Sequence, residues 1–90
     1  MLFNELKVGG VYKFDGIFYI WKDMDALSRW SRSPDDIING ITEFMILEFA
    51  KYDGGDYLHM NIIVSEREMV GWVMLNVKKG GTESLTKVVL

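Results

Sequence analysis

His59 is the one histidine of the chain, and with Asp53 and Asp56 it forms the nearest thing to a metal-binding or proton-transferring cluster. The spacing works against that chemistry. Asp53 and Asp56 flank Gly54-Gly55, where short acidic side chains commonly hydrogen-bond turn backbone, and His59 falls on the polar side of the strand that follows. A metal centre needs more ligands and groups that orient them, so turn and solvent roles are expected for all three residues. The pairs Gly9-Gly10, Gly54-Gly55 and Gly80-Gly81 could in principle cradle phosphate. None has the glycine spacing and the Lys-Ser/Thr that open a phosphate-binding helix, and each sits at a strand start or a turn. No catalytic residue, no metal and no cofactor is therefore assigned, and a non-enzymatic protein is expected.

A second kind of chemistry is carried by Arg29-Trp30-Ser31-Arg32, with Lys22 close by and Lys78-Lys79 further on. Guanidinium groups beside an aromatic ring can pair with phosphates and stack on bases. Against this stand Asp23, Asp25, Asp35 and Asp36 in the same stretch and a net charge of −3, whereas counterion release rewards a concentrated basic surface. The plainer reading has Trp30 anchoring its segment while the arginines are solvated or paired with acids. If one side of the strand around His59 is exposed, Tyr57, His59, Asn61 and Ile63 offer a mixed aromatic and polar surface suited to protein recognition. The candidate partner-binding residues are thus Arg29, Trp30, Arg32, Tyr57, His59 and Asn61.

The elements that must position these residues can be read from pattern. Asp15-Gly16 stands between Val11-Tyr12-Lys13-Phe14 and Ile17-Phe18-Tyr19-Ile20, which predicts a tight hairpin, since Asp-Gly suits the positive φ values of a type I′ turn. Residues 22–40 break the strand pattern and predict a helical insert. Ser33 can cap it, Pro34 suits the first helical position, Asp35 and Asp36 complement the dipole, and Gly40 can end it. Upstream, Met24, Leu27 and Trp30 recur at i, i+3, i+6 behind Asp23, suggesting a further helical turn or two. From Thr42 onward the chain reads as four antiparallel strands in a meander: Thr42 to Tyr52, Tyr57 to Ser65, Met69 to Val77, and Leu85 to Leu90. In the second of these, Leu58, Met60, Ile62 and Val64 alternate with Tyr57, His59, Asn61 and Ser65, giving one apolar and one mostly polar face.

This order of elements, with Val8-Gly9-Gly10-Val11-Tyr12 early and Gly71-Trp72-Val73 late, resembles a Src-homology-3-like small β-barrel over the whole length. A Gly-Trp-Val/Ile triplet on the fourth strand is typical of that family, and the resemblance implies a small antiparallel barrel; Trp72 is predicted to be buried. Met74 stands where the peptide-binding version has proline, and Tyr57-Leu58-His59 where it has paired tryptophans. The resemblance therefore carries over the barrel and not the proline-peptide groove, and barrels of this shape serve many functions.

Composition bounds the remainder. Ninety residues suit one domain over 1–90, since domains typically run about 100 to 200 residues. The absence of cysteine rules out disulfides and thiolate sites and agrees with a cytoplasmic location. The first residues lack the pattern of a secretory leader, and no apolar run approaches the ~18 residues of a membrane span. The expected function is a protein-interaction module, a small phage or bacterial accessory or inhibitor protein that occupies the surface of another protein. A nucleic-acid-binding barrel is the alternative, and self-association is left open.

Overall fold

A computed structural model describes residues 5–23, 33–50, 57–76 and 85–88. They build five antiparallel strands: β1 (Val11–Ile20), β2 (Asp36–Phe49), β3 (Tyr57–Val64), β4 (Met69–Asn76) and β5 (Leu85–Lys87), in the spatial order β4-β3-β2-β1-β5. The protein is mainly β, and the sheet is not closed. β2, β3 and β4 form the expected meander, but β5 leaves it and pairs with β1, Phe14 opposite Leu85 and Tyr12 opposite Lys87.

The expected hairpin at Asp15-Gly16 does not form. β1 runs straight through the dipeptide, with Asp15 opposite Ile41 and Gly16 opposite Gly40 in the ladder to β2. The physical reason is one of phase: Tyr12, Phe14, Phe18 and Ile20 keep a single period-two face across the dipeptide, and a turn there would break it. Phe14 and Phe18 stack across Gly16 with ring centroids 4.3 Å apart. Phe18 meets Phe44 edge-on at 5.3 Å, tying the stack to the core.

The second correction concerns the helical insert. Asp36–Gly40 is strand, paired with Gly16–Ile20, and the described residues contain no α-helix; positions 24–32 of the insert lie outside them. Ile37-Ile38-Asn39-Gly40 gains a full ladder against β1 by extending, which a single helical turn cannot match. The residues read as helix punctuation serve the strand ends instead. The Asp35 carboxylate accepts the Lys22 N–H at 2.8 Å, the Asp35 N–H donates to the Ile20 carbonyl at 2.8 Å, and Asp36 Oδ1 accepts the Ile37 N–H at 2.8 Å. Gly40 ends nothing; it lies within β2 with a φ of +107°, a conformation that side chains rarely adopt.

The end of the β1–β2 ribbon reaches β4. At its end the Trp21 N–H donates to the Trp72 carbonyl at 3.0 Å and the Trp72 N–H to the Trp21 carbonyl at 2.7 Å, an isolated bridge to β4. Gly71 permits this approach. A Cβ there would overlap the Ile20 Cγ2 methyl and lie 3.2 Å from the Trp21 carbonyl oxygen. The core beneath contains Tyr12, Phe18, Ile20 and Ile38 from the ribbon, Phe44 and Ile46 from the centre of β2, and Leu58, Met60, Ile62, Val64, Val73 and Leu75 from β3 and β4. The alternation expected for β3 is observed in full.

Trp72 is not in this core. Gly71, Val73 and Leu75 point inward opposite Ile62, Met60 and Leu58, so Trp72 faces the other way and is half-buried in a separate cluster with Trp21 and Met74. Between Ile46 and Glu48 a register shift inserts Leu47 into β2 and brings Phe49 opposite Met60.

Candidate protein-interaction face

The sheet has a second, outward face, and the ladders show which side chains share it. On β3, Tyr57 lies opposite Asn76, His59 opposite Met74 and Asn61 opposite Trp72, so the three expected partner-binding residues of this strand do stand on one side. Their exposure differs. Tyr57 is exposed, while His59 and Asn61 are half-buried, and Asn61 Oδ1 is shut from solvent with no hydrogen-bond partner among the described residues. Arg29, Trp30 and Arg32 lie outside the described residues, as do Lys78 and Lys79 and the acids Asp53 and Asp56 that the sequence groups with His59.

The ribbon carries four of the exposed large apolar side chains of this face, which sequence reasoning does not single out, and Val70 of β4 stands on the same face. Tyr19 and Ile37 form a cross-strand pair, 47% and 53% exposed; Ile17, opposite Asn39, is 47% exposed, and Ile41, opposite Asp15, is 71% exposed. Their neighbours Phe18, Ile20 and Ile38 point inward and are buried, so the ribbon is apolar on both sides and covered on one. The signal was present in Ile17-Phe18-Tyr19-Ile20 and in Ile37-Ile38, where both parities are apolar. Assigning the first run to a hairpin arm and the second to a helix hid it.

Tyr19 stands two residues before Trp21 on the same face, and the Trp21–Trp72 bridge carries the row on to β4 and to Asn61 of β3. The ribbon's outward side chains thus lead to the cluster of buried Trp21 with half-buried Trp72 and Met74, and across the β3–β4 ladder to Asn61. Polar side chains stand among the ribbon's apolar ones, Asn39 opposite Ile17 and Asp15 opposite Ile41, and Lys13 and Glu43 follow as the next outward pair. A surface of aromatic and branched side chains with polar groups among them can exclude water from a protein contact.

Comparison with protein-family models, curated proteins and solved structures gives no match to this chain. No helix among the described residues is long and apolar enough to cross a membrane.

Proposed function

We propose that the chain is a non-enzymatic protein-interaction module that occupies the surface of another protein through the outer face of its β1–β2 ribbon. One observation carries the reading: Ile17, Tyr19, Ile37 and Ile41 stand together on one side of a two-stranded ribbon with between 47% and 71% of their surface in contact with solvent. Single exposed apolar residues are ordinary, whereas a group of four on one face marks a binding surface. Tyr57 and the half-buried Trp72 extend the same surface toward β3. The finer architecture is read as similar to a Src-homology-3-like barrel, supported by the bridge that brings the end of β1 to β4. A role as a small accessory or inhibitor protein of a phage or bacterium, acting in the cytoplasm, fits a module that acts by contact alone.

The test is affinity purification of the tagged protein from its native cell with nuclease treatment, comparing wild type with the Tyr19→Ser/Ile37→Ser double variant. A protein partner held by wild type after nuclease treatment and lost by the folded variant supports the reading. Equal recovery by both, or recovery of nucleic acid alone before treatment, overturns it.

A further inference from the structure

Asn39 is followed by Gly40, and none of the other asparagines, Asn4, Asn61 and Asn76, precedes a glycine. A glycine leaves its own peptide nitrogen open to attack the side-chain amide before it, because no Cβ crowds the five-membered ring that forms. Glu5, Ile62 and Val77 follow the other three, and their side chains stand in that path. Whether Asn39 reacts then depends on how firmly the fold holds the Gly40 nitrogen.

The Ile46 N–H donates to the Gly10 carbonyl at 3.1 Å, and the β1–β2 ladder runs on from there without a shift to Ile20 opposite Asp36. Hydrogen-bonded pairs recur at every second residue of an antiparallel ladder, so Gly16 and Gly40 form one and exchange both bonds. The Gly40 nitrogen is thereby tied to the Gly16 carbonyl. A rung of two glycines is a weak one: it has no cross-strand side-chain pair, and glycine loses the most freedom on ordering. Nothing lies within 4 Å of where a Gly40 Cβ would stand, and Asn39 is exposed, so neither residue is packed against a neighbour that would resist opening.

We propose that Asn39 is a spontaneous deamidation site whose rate is set by opening of the Gly16–Gly40 rung. With the rung open, the Gly40 nitrogen bonds to Asn39 Cγ, the Cγ–Nδ2 bond breaks, and Nδ2 leaves as ammonia with the proton that the Gly40 nitrogen gives up. Water then opens the succinimide at either carbonyl, giving aspartate or isoaspartate, with no oxidant or reductant consumed. Both products put a carboxylate on the outward face opposite Ile17 in place of a neutral amide. Isoaspartate also carries the main chain through one extra carbon, which puts the residues beyond it out of step with β1. The site goes beyond the docking face, since the chemistry needs no partner; only its effect on docking rests on that reading.

The experiment incubates wild type at neutral and mildly alkaline pH, in buffer and in guanidinium chloride, and follows the amide-to-acid mass gain of the peptide that contains Asn39. Hydrogen exchange of the Gly40 amide is measured in the same folded protein. The expected result is modification of Asn39 ahead of Asn61, faster at the higher pH. Folding should slow it about tenfold or more, by the same factor as it slows exchange at Gly40. The isoaspartate form, separated by chromatography, should lose exchange protection at the Gly16 amide. Asn39→Gln keeps the amide but needs a larger ring, and should abolish the mass gain in a protein with wild-type spectra. Equal rates in buffer and denaturant, or an undiminished mass gain in Asn39→Gln, would overturn the proposal. So would an unmodified Asn39 in folded protein after the time that the denatured rate and the Gly40 protection together set for its completion.

Discussion

Trp72 and Phe44 show how much the direction of one side chain decides. Both are large aromatics on central stretches of strand, yet Phe44 is fully buried between Tyr12 and Phe18, whereas Trp72 looks outward and is only half-covered. Phe44→Ala should therefore cost about 3–5 kcal/mol, the penalty for emptying a packed aromatic site. Trp72→Ala should cost clearly less, because part of its surface is already hydrated. Denaturant midpoints of the two variants check this, and a larger loss for Trp72→Ala would contradict the placement of the two rings. At Tyr19 and Ile37 the expectation reverses. Replacing exposed apolar groups by serine should move stability by no more than about 0.5 kcal/mol while removing the surface offered to a partner.

At the scale of elements, Gly71 governs how closely the end of the ribbon approaches β4. Gly71→Ala forces a methyl group into Ile20 where β1 crosses β4, so the bridge between Trp21 and Trp72 must loosen. A cost of about 1–3 kcal/mol, with faster hydrogen exchange at the Trp21 and Trp72 amides than elsewhere in the sheet, is the expected outcome. Wild-type exchange at those two amides would contradict the close approach. The same elements show what the sequence made legible. β3 and β4 were readable because alternation, turn residues and length agreed there. The Asp15-Gly16 dipeptide and the Ser33-Pro34-Asp35-Asp36 run misled because each is a strong local signal whose preference was outweighed by pairing between distant strands. β1 and β2 find each other across the insert, and no short-range pattern announces that partnership. The outer face was legible only in part: Tyr57, His59 and Asn61 were placed on one side correctly, but the ribbon's apolar side depends on that unannounced pairing.

For the whole molecule, charge and surface point the same way. Acidic side chains outnumber basic ones 13 to 10, and among the described residues Ile17, Tyr19, Ile37 and Ile41 put exposed apolar groups on the ribbon. A phosphate-tracking surface would need the opposite balance, with binding that weakens steeply as salt rises. Labelled single-stranded and duplex oligonucleotides should accordingly show no salt-sensitive binding by fluorescence anisotropy. Micromolar, salt-sensitive binding that Arg29→Ala/Arg32→Ala reduces in a folded protein would favour the nucleic-acid reading instead.

The most direct measurement is calorimetric titration of the captured partner protein with wild type, with Tyr19→Ser/Ile37→Ser, and with a control altered on the core side of the same ribbon, Ile38→Val. The ribbon-face variant should bind about tenfold more weakly or worse, a loss of at least roughly 1.4 kcal/mol, while the control binds as wild type does. Undiminished affinity in a folded Tyr19→Ser/Ile37→Ser protein would show that the partner is held elsewhere and contradict the assignment of the ribbon face.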